Sequence, residues 1–187
     1  MKESKMLMLL LAIGVIEVTT YICNPLHTAA SDPFARLWGL KAFHQPTQSM
    51  ELTIRAGAIS VVFAWPYLRD QPKSGDVIAF RYPLDPRTAY VKRVIAAGDA
   101  TVSIVEGVTI FDGKPLREPY VHINASSSYC YTKMSSVRVP RNCHFVMNGN
   151  RDVGSDSRQW GMRTTRQHHW KVTTMIQERC VATKWPT

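Results

Sequence analysis

A chain of 187 residues in which 45% are hydrophobic is long enough to bury one ordinary core, and nothing in its length calls for a second domain. Lysine and arginine together number 23 against 14 acidic residues, and the formal charge of +9 favours anionic partners such as an acidic lipid surface. The basic residues are scattered, and the sequence has no zinc-finger spacing, RNA-binding aromatic signature or glycine-rich phosphate loop, so nucleic acid is not an expected partner.

The amino terminus carries a long apolar run. Residues Met6 to Ile16 are continuously apolar, and after Glu17 the apolar pattern resumes until Pro25 ends it. Such a run is typical of a secretory signal or of a transmembrane helix, and both export the residues that follow. We predict a retained transmembrane anchor over residues 6–24, with residues 1–5 in the cytoplasm because basic amino-terminal segments tend to stay on that side.

Residues 25–44 have a mixed composition and are predicted to connect the anchor to an extracytoplasmic domain that covers residues 45–187. Within this connector, Thr28-Ala29-Ala30 is an imperfect version of the small-residue site that ends a cleaved secretory signal. A cleaved signal therefore remains the alternative. The main argument against an anchor is Glu17, because a carboxylate inside the hydrocarbon layer is costly.

The domain after residue 44 has the alternating pattern of β-strands. Runs of β-branched and aromatic residues are separated by turn signals such as Asp112-Gly113, and no internal repeat interrupts them. The predicted strands are Val77–Tyr82, Tyr90–Ile95, Val102–Phe111, Val137–Val146 and Trp170–Val181. We predict a mostly β domain of antiparallel sheets, in which the first two of these strands pair as a hairpin.

The strand Tyr90–Ile95 contains two adjacent cations. Because strand side chains alternate, Tyr90, Lys92 and Val94 share one face, while Arg93 lies on the other. On a sheet with one buried face, at most one cation reaches solvent easily, and a desolvated lysine loses its proton readily enough to act as a general base. The alternative is an edge strand on which both cations are solvated.

Two polar segments carry further candidate residues. Ser49 follows a short polar turn, where a serine by itself is more often structural than functional. The segment Asn148–Gly161 is dense in Gly, Asn, Asp and Ser, which predicts a loop held rigid by pairing between its arginines and aspartates. Calcium is not expected there, because the carboxylates do not follow helix-loop-helix spacing and two arginines would compete with the ion.

These segments resemble, in order, the sequence boxes of type I signal peptidases. The boxes are Pro46–Met50, Gly75–Phe80, Tyr90–Ile95 with Gly98-Asp99, Asn150–Asp152 and Asp156–Gly161. The resemblance covers the anchor and most of residues 45–161. It implies a barrel-like β catalytic domain outside the cytoplasmic membrane, behind one transmembrane helix.

By the same resemblance, Ser49 is the nucleophile and Lys92 the general base of a Ser-Lys dyad. A serine hydroxyl needs a base to become nucleophilic, and lysine can serve only where burial favours its neutral form. The resemblance assigns the oxyanion donors to the Ser49 backbone N–H and the Thr47 hydroxyl, and donors of this kind stabilise the tetrahedral intermediate. Supporting or structural roles fall to Asp152, Ser155, Asp156 and Arg158.

The chain departs from the family pattern at several positions. Leu52 stands where the family usually has proline, and the Gly-Asp-Asn opening of the last box reads Asn148-Gly149-Asn150. The serine that the family uses to orient the lysine amine aligns with Gly154, and Ser155 could replace it only if the loop were shifted by one position. The orientation of Lys92 is therefore open.

We predict a membrane-anchored serine endopeptidase that removes signal or leader peptides from exported precursors with small residues before the cleavage site. It would work at the cytoplasmic membrane, on the extracytoplasmic side, in contact with lipid, and without a cofactor or a metal. Met50, Leu52 and Ile54 are expected to meet the substrate or the lipid.

Three alternatives remain open. The chain is short for a bacterial housekeeping enzyme, which leaves room for a specialised pilin-maturation peptidase of a conjugative transfer system, including one that cyclises its product. A self-cleaving repressor also carries a Ser-Lys dyad, but such proteins are cytosolic. A non-catalytic envelope component is the third.

The cysteines and histidines give weaker signals. Cys130 and Cys143 could form a disulfide if their domain lies outside the cytosol. His122, His144 and the pair His168-His169 lack ligand-like neighbours, so surface positions are expected and no metal site is predicted.

Overall fold

The computed structural model describes residues 2–26, 32–67, 70–82, 85–121, 132–164 and 170–176. Within these ranges the strand pairs are all antiparallel. The strands are β1 Leu40–His44, β2 Ile59–Phe63, β3 Val77–Tyr82, β4 Asp85–Ala97, β5 Thr101–Val105, β6 Val108–Phe111, β7 Lys114–Pro115, β8 Met134–Arg138, β9 Cys143–Met147, β10 Arg163–Thr164 and β11 Trp170–Ile176. The helices are α1 Lys2–Cys23, α2 Pro33–Trp38 and α3 Ser157–Trp160. The prediction of a mostly β chain behind one amino-terminal helix is confirmed.

The strands form two sheets. The larger has the order β1-β2-β11-β3-β4-β9-β10 and the smaller the order β7-β6-β5-β8. The predicted hairpin of β3 and β4 is confirmed, with Ile78 opposite Lys92 and Phe80 opposite Tyr90. The last strand, β11, lies between β2 and β3, so the carboxyl-terminal segment completes the middle of the larger sheet.

The helix α1 has the length and composition of a membrane span. Its segment Glu3–Cys23 has a hydropathy of 2.1 over its most apolar part, with no residue buried, and 21 residues rise roughly 30 Å, the thickness of the hydrocarbon layer. The short helix α2 begins at Pro33, capped by the Asp32 carboxylate. The Arg36 guanidinium ties α2 to α1, because it donates to the Tyr21 carbonyl at 3.2 Å and lies 4.8 Å from the centre of the Tyr21 ring.

Part of the predicted connector belongs to the larger sheet. Leu40–His44 forms β1, which pairs along its whole length with β2. The stretch between α1 and β1 is therefore short, and the sheet starts five residues before the predicted domain boundary. The imperfect cleavage site Thr28-Ala29-Ala30 lies outside the described residues.

Three clusters of buried side chains form the core. The first holds Ala35, Met50, Ile54, Ala58, Val62, Ala64, Ala79 and Val91; the second Ile95, Ala96, Val102, Ile104, Val139, Cys143, Phe145 and Met147; the third Ile78, Phe80, Val94 and Val146. The strand β4 contributes to all of them. Val91 and Ile95 point into the first two clusters, and Val94 points into the third from the opposite face.

This arrangement corrects the expectation of a sheet with one solvated face. Because β4 lies between β3 and β9 and is covered on both faces, Lys92 and Arg93 are each only 4% exposed. The alternative of an edge strand with two solvated cations is wrong. The separation of the two cations onto opposite faces holds, since Tyr90 and Val94 pack into the third cluster and Val91 into the first.

Other expectations about surface residues are also corrected. Met50 and Ile54 are buried in the first cluster and cannot meet lipid, whereas Leu52 is 63% exposed. Leu52 has a φ of 69°, a backbone conformation that proline cannot adopt, so the chain differs in shape from the family pattern at that position.

His144 is buried, not at the surface, because it lies in the inner strand β9, where its Nε2 is 3.1 Å from the Pro72 carbonyl oxygen. Cys143, also in β9, is buried. Cys130, His122 and the pair His168-His169 lie outside the described residues, so the disulfide stays a prediction.

Candidate active site

Ser49 sits in a single 3₁₀ turn, Gln48–Met50, that follows an extended residue, Thr47. The turn is anchored from below, because Met50 is fully buried and its carbonyl accepts the Ile54 N–H at 2.7 Å. Ser49 is 4% exposed although its neighbours Thr47 and Gln48 are exposed. The Ser49 hydroxyl is thus enclosed, while the two residues before it are exposed to solvent.

The Ser49 hydroxyl is held as a hydrogen-bond acceptor. The Gln45 Nε2 and the Thr47 Oγ1 each donate to Ser49 Oγ at 3.1 Å. Gln45 Nε2 also lies 3.1 Å from both the carbonyl oxygen and the Oγ1 of Thr47, so one amide organises the whole turn. Since both contacts leave the Ser49 proton unused, that proton is available to a base.

Gln45 is a site residue that the sequence analysis missed. It was visible only as one polar residue in a polar turn, and such residues are usually solvated. In the structure it is 7% exposed, and its backbone carbonyl accepts the Gly57 N–H at 2.7 Å. This backbone hydrogen bond joins residues 45 and 57, on either side of the Ser49 turn, and the Gln45 side chain lies against Ser49.

Lys92 is a buried lysine in the centre of β4. Its Nζ lies 4.7 Å from the centre of the Tyr90 ring, on the face shared with the third cluster. Burial lowers the pKa of Lys92 from 10.5 to about 8, and the negative charge of Asp156 opposes part of that shift. At pH 7 roughly one tenth of such lysines are neutral and able to accept a proton.

The predicted loop Asn148–Gly161 is organised around Asp156. This aspartate is 1% exposed and pairs with Arg158, with Nη2 at 2.8 Å from Oδ2. It also caps α3 through the Arg158 N–H and accepts the Asn148 N–H at 3.0 Å. The predicted pairing of arginine and aspartate within the loop is therefore present for Arg158 and Asp156.

Arg151 pairs differently from the prediction. Its guanidinium forms a buried ion pair with Glu118 and donates to Thr109 Oγ1 at 3.1 Å. Both partners belong to the part of the chain around the smaller sheet, so Arg151 ties the loop to that sheet and not to a loop aspartate. Sequence separation hides this contact, since Glu118 lies 33 positions before Arg151.

The loop contacts Ser49 directly. The Asn150 N–H donates to the Ser49 carbonyl oxygen at 3.0 Å. A Cβ atom placed on Gly154 would lie 3.5 Å from Ser49 Cβ. The same loop acts on Lys92 through the Asp156 charge. The loop therefore contacts the candidate nucleophile and acts on the candidate base through its charge.

The remaining predicted residues have different positions. The Asp152 backbone N–H donates to Asn150 Oδ1 at 3.2 Å within the turn. Ser155 is half-buried, and its hydroxyl makes no hydrogen bond within the part of the chain that the structure describes. It therefore does not replace the lysine-orienting serine that the family has at the position of Gly154. Within the same part of the chain, no hydrogen bond joins Lys92 Nζ to Ser49 Oγ.

The parts of this site are compatible with base-assisted nucleophilic attack. Acyl transfer requires a nucleophile, a base and a donor for the oxyanion. The candidates are the enclosed Ser49 hydroxyl, Lys92 with its lowered pKa, and the hydroxyl of the exposed Thr47.

The comparisons with known proteins agree on one family. The family model described as "Signal peptidase, peptidase S26" matches residues 15–176. The chain is 37% identical over 123 residues to "Probable signal peptidase I-1" of a Synechocystis species, an alignment covering 62% of this chain and 60% of that protein. It is 28% identical over 159 residues to "Signal peptidase I" of Leptolyngbya laminosa, covering 81% and 71%.

A third relative, "Signal peptidase I" of Aquifex aeolicus, is 26% identical over 184 residues, covering 68% of this chain and 72% of that protein. The crystal structure of a signal peptidase I from Enterococcus faecalis superimposes with a TM-score of 0.47 and 25% identity, covering 56% of this chain and 98% of that one. The chain thus spans 60% of the length of the Synechocystis relative.

Proposed function

Because this chain belongs to the peptidase S26 family of signal peptidases, we propose that it is a membrane-anchored serine endopeptidase that removes signal peptides from exported precursor proteins. The observation that carries the proposal is Lys92, a lysine only 4% exposed whose pKa falls to about 8. A buried lysine is costly unless its neutral form is used. The loop that carries Asp156 also contacts the Ser49 backbone through the Asn150 N–H, which supports Ser49 as the hydroxyl that the neutral amine would activate.

The proposed reaction proceeds in two steps. Neutral Lys92 Nζ takes the proton of Ser49 Oγ while Oγ attacks the carbonyl carbon of the scissile bond. The tetrahedral intermediate collapses, the C–N bond breaks, and Lys92 returns the proton to the leaving amine. Lys92 then deprotonates a water that hydrolyses the ester on Ser49, and the hydroxyl is regenerated.

The oxyanion of the intermediate would be held by the Ser49 backbone N–H and the Thr47 hydroxyl. Thr47 is exposed, and its Oγ1 is already fixed 3.1 Å from Ser49 Oγ by the Gln45 amide. The Thr47 hydroxyl now donates its proton to Ser49 Oγ, and this proton would turn to the oxyanion as Ser49 Oγ attacks.

Replacing Thr47 tests this assignment. Thr47→Val keeps the shape and removes the hydroxyl, so we expect a loss of roughly 100- to 1000-fold in kcat, the typical cost of one oxyanion donor. Thr47→Ser retains the hydroxyl and serves as the matched control. Turnover of the valine variant within a few-fold of wild type would remove Thr47 from the oxyanion hole.

Two features support membrane attachment with the domain on the extracytoplasmic side. The two lysines before the apolar run favour a cytoplasmic amino terminus. At the other end of α1, Trp38 and Trp65 are 58% and 51% exposed, and Trp65 packs against Gly39 beside Leu26. Exposed tryptophans at the end of a span are typical of the membrane–water interface, so the proposed lipid contact lies there.

The decisive experiment incubates the full chain, in detergent or in lipid vesicles, with exported precursors that carry small residues before the cleavage site. Wild type is expected to release the signal peptide, whereas Ser49→Ala is expected to release none. Ser103→Ala, in β5 and away from the turn, is the matched serine control and should cleave normally. Cleavage by Ser49→Ala at the wild-type rate would refute the assignment.

Mass spectrometry of the products also tests the pilin-maturation alternative, which stays a prediction. A linear product fits signal peptide removal, and a cyclic product would favour the specialised enzyme.

A further inference from the structure

The proposed base lacks a visible means of orientation. Lys92 Nζ lies over the Tyr90 ring and donates no hydrogen bond to any residue that the structure describes. The position that could have supplied a hydroxyl is Gly154, and Ser155 does not replace it. A lysine with a long, flexible stem needs a fixed partner if its amine is to face one hydroxyl reproducibly.

The strand register points to a candidate on the neighbouring strand. In the pairing of β4 with β9, Arg93 is opposite Met147 and Val94 is opposite Val146. Continuing this register by one residue places Asn148 opposite Lys92. Side chains that face each other across antiparallel strands lie on the same face, with Cβ atoms about 4.5–5.5 Å apart.

The side chain of Asn148 has an unused acceptor. Asn148 is 1% exposed, and its Nδ2 donates to the Val153 carbonyl oxygen at 2.7 Å. Its Oδ1 is buried and has no hydrogen-bond partner among the residues that the structure describes. A buried carbonyl oxygen without a partner carries a real energetic cost, and such groups persist where they have a function.

The glycine at 154 makes room for this amide. A Cβ atom at that position would lie 3.1 Å from Asn148 Nδ2 and 3.5 Å from Ser49 Cβ. Gly154 has a φ of 81°, a conformation that other residues rarely adopt. The asparagine amide therefore occupies the space beside Ser49 that a larger residue at 154 would fill.

We propose that Asn148 is the positioning residue for Lys92: its Oδ1 accepts a hydrogen bond from the lysine amine and holds that amine toward Ser49 Oγ. Because the lysine stem is flexible, the amine would exchange between the Tyr90 ring and Asn148 already in the free protein, and a bound substrate would favour the contact with Asn148. The backbone of Asn148 is fixed for this role, since its N–H donates to Asp156 at 3.0 Å. The proposal rests on the proposed function of Lys92 as a base.

The test measures the protonation of Lys92 itself. NMR of the Lys92 amine in the full chain, assigned with Lys92→Arg, gives its titration midpoint independently of turnover. The charged group acting on it is Asp156, paired with Arg158, and the titratable neighbour on its own strand is Tyr90. All of them stay in place in the variants.

Two variants of nearly equal size should move the midpoint in opposite directions. Asn148→Leu removes the acceptor of the charged amine, so the midpoint should fall by roughly half to one pH unit. Asn148→Asp keeps an acceptor and adds a negative charge, so the midpoint should rise by about one to three pH units. Opposite shifts would show that the side chain at position 148 acts on the Lys92 amine, and the kcat of the leucine variant then tests whether it positions that amine.

Kinetics on a precursor provide the second measurement. We expect Asn148→Leu to lower the plateau kcat at high pH roughly 100-fold, the cost of a misplaced group, with KM little changed. Asn148→Asp should approach the wild-type plateau, but only at a higher pH. Asn150→Ala removes a loop amide whose oxygen accepts the Asp152 N–H, and it is the matched control for the titration: the Lys92 midpoint should stay at the wild-type value.

The outcomes separate this proposal from the proposed function. A midpoint within 0.2 units of wild type in both Asn148 variants would overturn the proposal even if precursors are cleaved. If the Lys92 midpoint shifted in opposite directions in the two variants but wild type cleaved no precursor, the contact between Asn148 and Lys92 would be supported and the proposed endopeptidase activity refuted.

Discussion

Lys92 and Arg93 are consecutive cations on β4, and both are 4% exposed, yet their surroundings differ. Arg93 donates to the Gly75 carbonyl oxygen at 2.8 Å and to Thr53 Oγ1 at 2.9 Å, and its guanidinium lies 3.9 Å from the centre of the Tyr120 ring. Lys92 lies 4.7 Å from the centre of the Tyr90 ring, feels the charge of Asp156, and makes no side-chain hydrogen bond within the described residues. Equal burial therefore produces a cation held by two hydrogen bonds and an aromatic ring on one face, and an amine over an aromatic ring on the other.

The comparison separates burial from function. Desolvation lowers the pKa of both groups, but guanidinium starts so high that it stays charged, whereas the lysine reaches a range near neutrality. Of the two cations, only the Lys92 amine can therefore exchange a proton near neutral pH. The neighbouring face uses its cation to fasten β4 to the segment that follows the Ser49 turn.

The largest expected effect comes from making Lys92 resemble its neighbour. Lys92→Arg keeps the positive charge but cannot be deprotonated at physiological pH, so cleavage of a precursor should fall at least about 1000-fold. Arg93→Lys is the matched control and should keep kcat within roughly tenfold of wild type at a temperature where it is folded. Comparable activities in the two variants would break the distinction between the faces.

Removing the arginine should affect stability more than chemistry. Arg93→Met leaves the Gly75 carbonyl and the Thr53 hydroxyl without their charged donor and removes the contact with Tyr120. Hydrogen bonds to charged groups contribute about 1.5–3 kcal/mol each, and loss of the buried charge offsets part of this, so we expect about 3 kcal/mol of destabilisation. Thermal or denaturant unfolding in detergent measures it. An unchanged midpoint of unfolding would mean that Arg93 is not a structural cation.

Sequence patterns predicted this pair only in part. Alternation along Tyr90–Ile95 placed the two cations on opposite faces, because period two is a local property of a strand. Burial of both faces depends on residues distant in the chain, such as Met50 and Ile54 on the Arg93 face and Trp160 on the Lys92 face, and the strand itself gives no sign of them. The same limit explains why the pairing of Arg151 with Glu118 was missed.

The site shows the same division between local and long-range information. Ser49, Lys92, Asp156 and Arg158 were predicted from sequence boxes, and in the structure Asp156 pairs with Arg158 in the loop that also contacts Ser49. Gln45 and Asn148 were not given roles, because one depends on a backbone contact with Gly57 and the other on the register between two distant strands. Residues that orient catalytic groups are selected by three-dimensional fit, and composition alone does not distinguish them from ordinary polar residues.

The smallest expected effect is the pH dependence that Lys92 gives to the stability of the fold. Lowering the pKa from 10.5 to about 8 means that the folded protein disfavours the charged lysine. Below pH 8 both folded and unfolded chains carry the charge, and the folded one bears the full penalty. Between pH 8 and 10.5 the unfolded chain binds more protons, so this contribution to stability rises with pH and the penalty vanishes above 10.5.

Lys92→Met should therefore be more stable than wild type at pH 7, by about 2 kcal/mol, since water penetration reduces the full linkage value. The difference should shrink as the pH rises from 8 to 10.5. Lys114→Met, an exposed lysine on β7, is the matched control and should show no such trend. Chemical unfolding at pH 7 and pH 10 measures both. A constant difference between Lys92→Met and wild type would mean that Lys92 is already neutral at pH 7 or fully solvated when charged, and either result would remove the energetic contrast with Arg93.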